Sequence, residues 1–260
     1  MNTTDPIDAD ALALVQQHVA NTRFQAAPPA SATTVQAAYD VQRRYVALLQ
    51  RDAGAVVGYK IGLTSARMQA MCRIAEPICG AVLATRVHTS GVVLRRSAYG
   101  RLGLEFEIAV RIGRDVPIEN QTAGSVRRYA DAVCAAVEIV DDRDADYSQL
   151  DVRGLIADNA WNAGVVLSRW VTPWPDLPAV EGVVSVGAEV IDRGFGRDVL
   201  GDPLICTAWL ANHLAARGEQ LKAGQIVMTG SLVPTRFPTA DANYRFDLEG
   251  IGSVSVGVNA

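Results

Sequence analysis

Two glutamates separated by one residue are the groups in this sequence best suited to chemistry. Glu105 and Glu107 lie in a strictly alternating run, residues 104–112, which predicts a strand with both carboxylates on one face. At a rise of about 3.3 Å per residue, the two side chains stand about 7 Å apart. Like charges this close repel unless a cation lies between them, and Mg²⁺ or Mn²⁺ prefers carboxylate oxygen. A solvated strand face is the alternative interpretation of the pair.

A third carboxylate favours the metal interpretation. Glu138 lies within residues 135–142, an apolar run that predicts a buried strand. An acid in such a strand is costly unless it is paired or bound to a metal. The three glutamates therefore predict a site for a hard divalent cation on neighbouring strands.

Lys60 is the candidate for proton transfer. It lies in the middle of an apolar strand, residues 57–63, between Gly58 and Gly62. Glycine within a strand often marks the close approach of a ligand or another backbone. Desolvation would lower the pKa of the lysine and suit it to acid–base chemistry. The alternative is an edge-strand lysine that hinders aggregation.

Two segments of small or polar residues are candidates for ligand contact. Asp158 and Asn159 form a polar pair that precedes an apolar strand, and Ser231 follows a strand in the small-residue stretch 229–232. Taken alone, the pair is better explained by a helix cap or a turn, whereas a simple turn and a ligand-facing loop explain residues 229–232 equally well.

The elements that must position these groups indicate an α+β fold. Residues 1–55 carry helical stripes, and strands dominate after Val56 with single helices between them. We expect a helix over 125–133, a hairpin over 183–191 around Gly187, and a helix capped by Asp202. This order favours a mixed, rolled sheet over a repeated βαβ array, with a helical subdomain at 1–55 and a β-rich catalytic domain at 56–260.

Composition narrows the class of protein. The chain has 260 residues, 49% hydrophobic content and a net charge of −4, which gives no reason to expect nucleic acid or an anionic membrane as partner. No apolar run approaches the roughly 20 residues of a membrane helix, and the acidic start does not fit a signal peptide. Four cysteines without a C-x-x-C pair predict reduced thiols and a cytoplasmic location. Three scattered histidines argue against a zinc site.

The motifs together resemble one group of enzymes. The chain is similar to the 2-hydroxypentadienoate hydratase and 4-oxalocrotonate decarboxylase group of the fumarylacetoacetate hydrolase superfamily. The resemblance runs from about residue 35 to residue 258. It rests on five segments in the family order: residues 58–65 (GYKIGLTS), 104–107 (LEFE), 137–143 (VEIVDDR), 158–164 (DNAWNAG) and 250–256 (GIGSVSV).

The resemblance implies a small helical N-terminal part, a β-rich domain like the fumarylacetoacetate hydrolase C-terminal domain, and short 2-oxo or 2-hydroxydienoate acids from aromatic-ring degradation as substrates. It also implies homo-oligomers, often of five or ten subunits, and association with a partner enzyme of the same pathway. The residue roles that it implies are Mg²⁺ or Mn²⁺ binding by Glu105, Glu107 and Glu138, catalysis by Lys60, and substrate binding by Leu63, Asp158, Asn159 and Ser231.

One departure concerns the reaction itself. Hydratases of the group carry an aspartate in a Pro-Asp-aromatic-Gly segment, where this chain has Ile78 within residues 77–80. We expect hydration of a 2-hydroxypenta-2,4-dienoate-type acid to a 4-hydroxy-2-oxo acid. Ile78 favours the alternative, decarboxylation of a 4-oxalocrotonate-type diacid, unless the adjacent Glu76 supplies the proton.

Three further alternatives remain. A tautomerase would need only the metal and Lys60. A C–C hydrolase would need a histidine near the metal, for which His18 and His88 are poor candidates. A non-catalytic partner subunit would have no use for three glutamates and a buried lysine.

Overall fold

The computed structural model describes residues 5–260, and its chain begins with two helices. Helix α1 spans Pro6–Val19 and helix α2 spans Val35–Ala53. Asp5 and Thr34 cap them through side-chain oxygens that accept backbone N–H bonds. The two helices pack on each other. Within residues 5–55, these two helices confirm the predicted helical character.

A seven-stranded mixed sheet forms the main body of the protein. Its strands in chain order are β1 Val56–Gly62, β2 Ile78–Leu83, β3 Val87–Thr89, β5 Leu102–Ile112, β6 Ala130–Asp141, β7 Asn162–Leu167 and β10 Ile226–Ser231. Their spatial order is β2-β1-β10-β5-β6-β7-β3. β1 runs parallel to β10 and β3 parallel to β7, whereas the other pairs are antiparallel. β2 also contacts β7, so the sheet curls as predicted.

A second, five-stranded sheet packs against the first. Its strands are β4 Val92–Arg95, β8 Glu181–Val186, β9 Glu189–Phe195, β11 Ala242–Leu248 and β12 Gly252–Asn259, in the order β4-β12-β11-β8-β9. β8 and β9 form the expected hairpin, and Gly187 adopts φ 59° in its turn. Phe106 of β5 and Phe246 of β11 meet between the sheets at a ring distance of 5.6 Å, and both are fully buried.

Four further helices connect the strands. They are α3 Ala66–Met71, α4 Ala123–Val126, α5 Val152–Ala157 and α6 Pro203–Ala216. Asp202 caps α6 as predicted. Helix α2 packs against α5, which ties the N-terminal helices to the β-rich part. The division into domains at residue 55 stays a prediction. No helix among residues 5–260 is long and apolar enough to cross a membrane.

The helix predicted over residues 125–133 is wrong. α4 ends at Val126, and β6 already begins at Ala130. β6 is a central strand with both faces buried, so alanine and valine follow one another without the polar alternation that identifies a strand. A short apolar run of this kind cannot be distinguished from a helix by periodicity alone.

The two faces of β5 and β6 differ in side-chain size. The face turned to the second sheet carries Phe106 and Ile108, whereas the inner face of the curled sheet carries Ala109, Cys134 and Ala136, all fully buried. Small side chains let the sheet close on itself along that inner face. The glutamates lie on the same inner face, at the end where it opens.

Candidate metal centre and substrate cavity

The three predicted glutamates converge at one point. Glu105 of β5 lies directly opposite Glu138 of β6, and Glu107 lies two residues further along β5, opposite Ala136. One carboxylate oxygen from each residue lies within 4.8 Å of the others. Glu107 and Glu138 are fully buried, and Glu105 is partly buried. The arrangement brings together the oxygen ligands that a hard divalent cation needs.

Each carboxylate accepts a hydrogen bond from a neighbouring part of the chain. The Glu107 Oε2 accepts the Gly230 N–H at 2.8 Å, the Glu138 Oε1 accepts the Asn162 amide at 2.9 Å, and the Glu105 Oε1 accepts the Thr235 hydroxyl at 2.6 Å. These partners fix the direction of each side chain. None of these three donor residues was predicted as a site residue from the sequence, although Asn162 lies within the 158–164 motif.

The remaining oxygens fit a metal ion. Within residues 5–260, the Glu107 Oε1 and the Glu138 Oε2 are buried without any hydrogen-bond partner. An unpaired buried acceptor, and a charged one above all, is costly. A divalent cation between the glutamates would satisfy both atoms at once. The residues present therefore fit the metal that the sequence predicts.

The electrostatics show how strongly the glutamates need a cation. Burial, reinforced by the neighbouring carboxylates of Glu138 and Glu105, holds the pKa of Glu107 well above its usual range. Burial raises the pKa of Glu138 to about 7, although Lys60 opposes the rise. Protons and a metal ion must therefore compete for the same oxygens.

Lys60 lies beside the glutamates, and its strand is not an edge. β1 lies between β2 and β10, so the alternative of an aggregation-blocking edge lysine is wrong. The ammonium Nζ is 3.2 Å from the Glu138 Oε1, and the residue is only 4% exposed. Burial lowers the pKa of Lys60, but the carboxylates, Glu138 first, raise it more, and the net shift is upward. The expected lowered pKa is thus reversed, because the lysine is surrounded by negative charge.

A cavity of about 620 Å³ opens in front of these groups. Lys60 and Glu105 line it, as do two of the predicted substrate-binding residues, Leu63 and Ser231. Leu63 has a left-handed backbone with φ 58°, which is costly for a leucine and is typical of a constrained functional position. The Ser231 hydroxyl donates to the Val233 carbonyl at 2.7 Å.

Asp158 and Asn159 do not line this cavity. The Asp158 carboxylate contacts the His18 Nε2 at 2.6 Å and pairs with the buried Arg143 guanidinium. The Asn159 side chain pairs with the backbone of Ala81, donating to its carbonyl at 2.9 Å and accepting its N–H at 2.6 Å. Their role in substrate binding stays a prediction, and their contacts point to support of the cavity wall.

The backbone of this part of the cavity wall has an unusual conformation. Asn159, Ala160 and Trp161 all have left-handed φ angles, 51°, 49° and 60°, although none is glycine. Ala160 and Trp161 line the cavity. Such a turn persists only when its surroundings hold it in place. The paired hydrogen bonds between Asn159 and Ala81 supply part of that restraint.

Replacement of Asn159 by alanine is expected to lower the free energy of unfolding by about 2–4 kcal/mol, because it removes two buried hydrogen bonds and orphans both backbone groups of Ala81. Urea unfolding measures the change, and Asn120→Ala, at an exposed position, is the matched control. A variant of unchanged stability that has lost substrate affinity would instead establish Asn159 as a substrate ligand.

Position 78 faces the reacting end of the cavity. Ile78 is 1% exposed, lines the cavity and pairs with Gly62 across β1 and β2. A Cβ atom built on Gly62 would lie 3.5 Å from both the Ile78 Cγ1 and the Lys60 Nζ, so isoleucine and lysine flank the same small space. Glu76 is exposed and does not line the cavity. The structure therefore gives no support to Glu76 as a replacement proton carrier.

Histidine is absent from the cavity wall. His18, His88 and His213 all lie among the described residues, and none of them lines the cavity. A C–C hydrolase that depends on a histidine base near the metal has no candidate here.

Comparisons with known proteins agree with this geometry. The family described as fumarylacetoacetate (FAA) hydrolase C-terminal matches residues 67–259. The chain is 35% identical over 221 residues to a 2-keto-4-pentenoate hydratase of Burkholderia vietnamiensis, covering 84% of this chain and 83% of the relative. It is 33% identical over 232 residues to a 2-oxo-hept-4-ene-1,7-dioate hydratase of Escherichia coli, covering 85% and 86%.

A solved structure matches over nearly the whole length. The 4-oxalocrotonate decarboxylase of Pseudomonas putida, complexed with magnesium and adipate, superposes with a TM-score of 0.89 at 28% identity and covers 99% of each chain. The chain belongs to the fumarylacetoacetate hydrolase family. Within it, the hydratase and decarboxylase relatives make the protein an enzyme of the lyase type.

Proposed function

We propose that this protein is a divalent-metal-dependent lyase that hydrates a 2-hydroxypenta-2,4-dienoate-type acid to a 4-hydroxy-2-oxo acid during the degradation of aromatic compounds. The observation that carries the proposal is the convergence of three glutamates, two of them fully buried, and one buried lysine at the inner end of a cavity large enough for a short acid. The hydratase relatives, which match over more than four-fifths of the chain, support the same reaction. Mg²⁺ or Mn²⁺ is the proposed cofactor, held by Glu105, Glu107 and Glu138.

The metal and the protein divide the chemistry. Glu105, Glu107 and Glu138 would hold a divalent cation, which would supply polarisation of the 2-oxo group of such an acid and stabilisation of the negative charge that develops on its oxygen. Lys60, which is protonated at neutral pH, can donate a proton to the far carbon of the dienol as the conjugated ketone forms. The proton that the 2-hydroxyl group loses in the same step can pass to a carboxylate of the site. The Glu138 carboxylate, 3.2 Å from the Lys60 Nζ, can then return a proton to the lysine. Water then adds to the carbon–carbon double bond of the ketone.

Decarboxylation of a 4-oxalocrotonate-type diacid is the second candidate. Ile78 favours it, because a buried apolar side chain beside Lys60 offers no group to activate water. Decarboxylation requires no water, and an apolar wall keeps water away while the far carboxylate leaves as CO₂. The decarboxylase from Pseudomonas putida, which matches over 99% of both chains, supports this candidate.

The choice between the reactions is expected to depend on position 78. Hydration by the unmodified protein should be slow, and Ile78→Asp should raise it by at least about tenfold, since a positioned proton carrier typically contributes roughly 10²–10⁴-fold. Loss of the dienol's ultraviolet absorbance measures hydration of the monoacid, and CO₂ release measures decarboxylation of the diacid. Ile78→Val, which keeps the wall apolar, is the control.

Three outcomes would contradict this assignment. Fast hydration by the unmodified protein with no gain in Ile78→Asp would remove position 78 from the choice of reaction. Absence of both hydration and CO₂ release, with the dienol only converted to its ketone, would make the protein a tautomerase. Absence of any conversion would support the non-catalytic alternative.

Assembly and location complete the proposal. We infer a homo-oligomer in the cytoplasm, with a partner enzyme of the same pathway. The four buried free cysteines are consistent with a reducing compartment. Light scattering on the purified protein tests the assembly directly.

A further inference from the structure

One cation on the cavity wall has no partner. Arg67 of α3 lines the same cavity as Lys60 and is exposed to it. Among residues 5–260 its guanidinium makes no hydrogen bond and no ion pair. Lys60, by contrast, is committed to Glu138 at 3.2 Å. The free guanidinium is therefore available to a ligand that enters the cavity.

The neighbouring polar side chains are occupied. The Tyr147 hydroxyl donates to the Asp142 carboxylate at 3.0 Å, and the Thr235 hydroxyl donates to Glu105. The Asp198 Oδ2, also on the wall, accepts the Phe195 N–H at 2.7 Å. Most of the remaining wall is apolar, and its larger members are Met68, Val140, Leu150, Leu155, Trp161, Leu232 and Phe237. Within residues 5–260, the cavity thus has a charged inner end, one unpaired cation on its wall, and an apolar lining that suits a carbon chain.

The charge of the inner end is already balanced. Three carboxylates, one divalent cation and one protonated lysine sum to zero, so this end can attract one 2-oxo acid group through the metal but has no surplus for a second carboxylate. A dicarboxylic ligand must find its second counter-ion elsewhere. Arg67 is the cation on the wall that remains for it, and a guanidinium binds a carboxylate through two parallel N–H···O bonds.

We propose that Arg67 binds the distal carboxylate of a dicarboxylic 2-oxo acid and makes this cavity selective for diacids. The inference rests on the proposed function in one respect, since it takes the 2-oxo acid group to lie at the three glutamates. For the substrate it favours the second candidate, a 4-oxalocrotonate-type diacid, over the monoacid. Asp198 also lines the cavity, and its negative charge would limit the selectivity by repelling the distal carboxylate.

Two unreactive acids of equal chain length test the proposal through binding alone. Calorimetry of the Mg²⁺-loaded protein compares 2-oxoadipate with 2-oxohexanoate, which lacks only the distal carboxylate. We expect the unmodified protein to bind the diacid at least about tenfold more tightly, and Arg67→Ala to weaken only the diacid, by about 10–100-fold, as for loss of a charge-assisted bond. Arg67→Lys should retain part of the preference, and Asp198→Asn should increase it.

Arg51→Ala, at an exposed arginine of α2 outside the cavity, is the matched control and should leave both affinities unchanged. Equal binding of the two acids by the unmodified protein would overturn the proposal. An equal loss for both acids in Arg67→Ala would overturn it as well, because the arginine would then only shape the cavity. Failure of the Mg²⁺-loaded protein to bind either acid would contradict the proposed function itself.

Discussion

Replacement of Lys60 by alanine should lower turnover by roughly 10²–10⁴-fold, the range for loss of a positioned acid–base group. The reason is its place in the site, with the ammonium 3.2 Å from Glu138 and almost fully buried. Removal of the lysine also removes the positive charge nearest to Glu138. Turnover should therefore fall at every pH at which the unmodified protein works.

Lys222, the only other lysine in the sequence, provides the control. Lys222 pairs with Asp115 at the surface, so Lys222→Ala should keep full turnover. Thermal unfolding of the metal-loaded variants shows whether Lys60→Ala keeps its fold, and Lys60→Met, which fills the same space without charge, separates loss of charge from loss of packing. A folded, metal-loaded Lys60→Ala protein with near-normal turnover would remove this residue from the mechanism.

The grouping of the three glutamates could be predicted in part, because part of its geometry is local. The spacing of Glu105 and Glu107 follows from the period of a strand, and the cost of a buried Glu138 follows from its apolar neighbours. The sequence could not supply the register that sets Glu105 opposite Glu138. That register is fixed by long-range pairing of β5 with β6, which no short-range pattern encodes.

The sign of the Lys60 pKa shift depended on tertiary structure. From the sequence of the strand alone, only desolvation can be inferred, and desolvation lowers the pKa of a lysine. The three carboxylates that reverse this shift come from β5 and β6, which are not even adjacent to β1. Their proximity arises only when the sheet curls. The predicted direction of the pKa shift of Lys60 was therefore wrong, whereas its catalytic role stays a prediction.

The pair Asp158 and Asn159 shows a different limit of prediction from sequence. A polar pair before an apolar strand signals either a ligand contact or a local structural role, and the sequence contains nothing that chooses between them. The contacts that decide between these two roles are with Arg143, His18 and Ala81, which are 15 to 140 residues away in the chain. Two asparagines of one compact motif thus have different partners. Asn162 donates to the Glu138 carboxylate, and Asn159 donates to the backbone carbonyl of Ala81.

Replacement of Glu107 by glutamine should reduce the affinity for Mn²⁺ by at least about 100-fold, beyond the 10–100-fold typical of losing an outer-shell partner of a metal ligand. Glutamine keeps the size of the side chain and can still accept the Gly230 N–H, so the loss reflects the missing negative charge. Titration with Mn²⁺ followed by electron paramagnetic resonance measures it. Glu189→Gln, at an exposed position of β9, is the control.

The same variant should change the stability of the metal-free protein in the opposite direction. Burial and two neighbouring carboxylates raise the pKa of Glu107, so its charged form destabilises the fold in the absence of metal. Glu107→Gln removes that charge and should raise the melting temperature of the metal-free protein while abolishing most of the further rise on adding Mn²⁺. Tight Mn²⁺ binding by Glu107→Gln would refute the assignment of this residue as a ligand.

The pH dependence follows from the same competition. The pKa of Glu138 is raised from its ordinary value of 4.5 to about 7, so its contribution to stability is present below pH 4.5 and is lost as the pH rises towards 7. Lys60, whose pKa is also raised, stays charged across this window and does not alter the trend. The metal-free protein should therefore lose stability between about pH 4.5 and 7, whereas Mn²⁺ affinity should increase over the same range because the ion must displace the proton. Melting temperatures measured with and without Mn²⁺ should diverge as the pH rises, and curves that stay parallel would show that these carboxylates do not bind the ion.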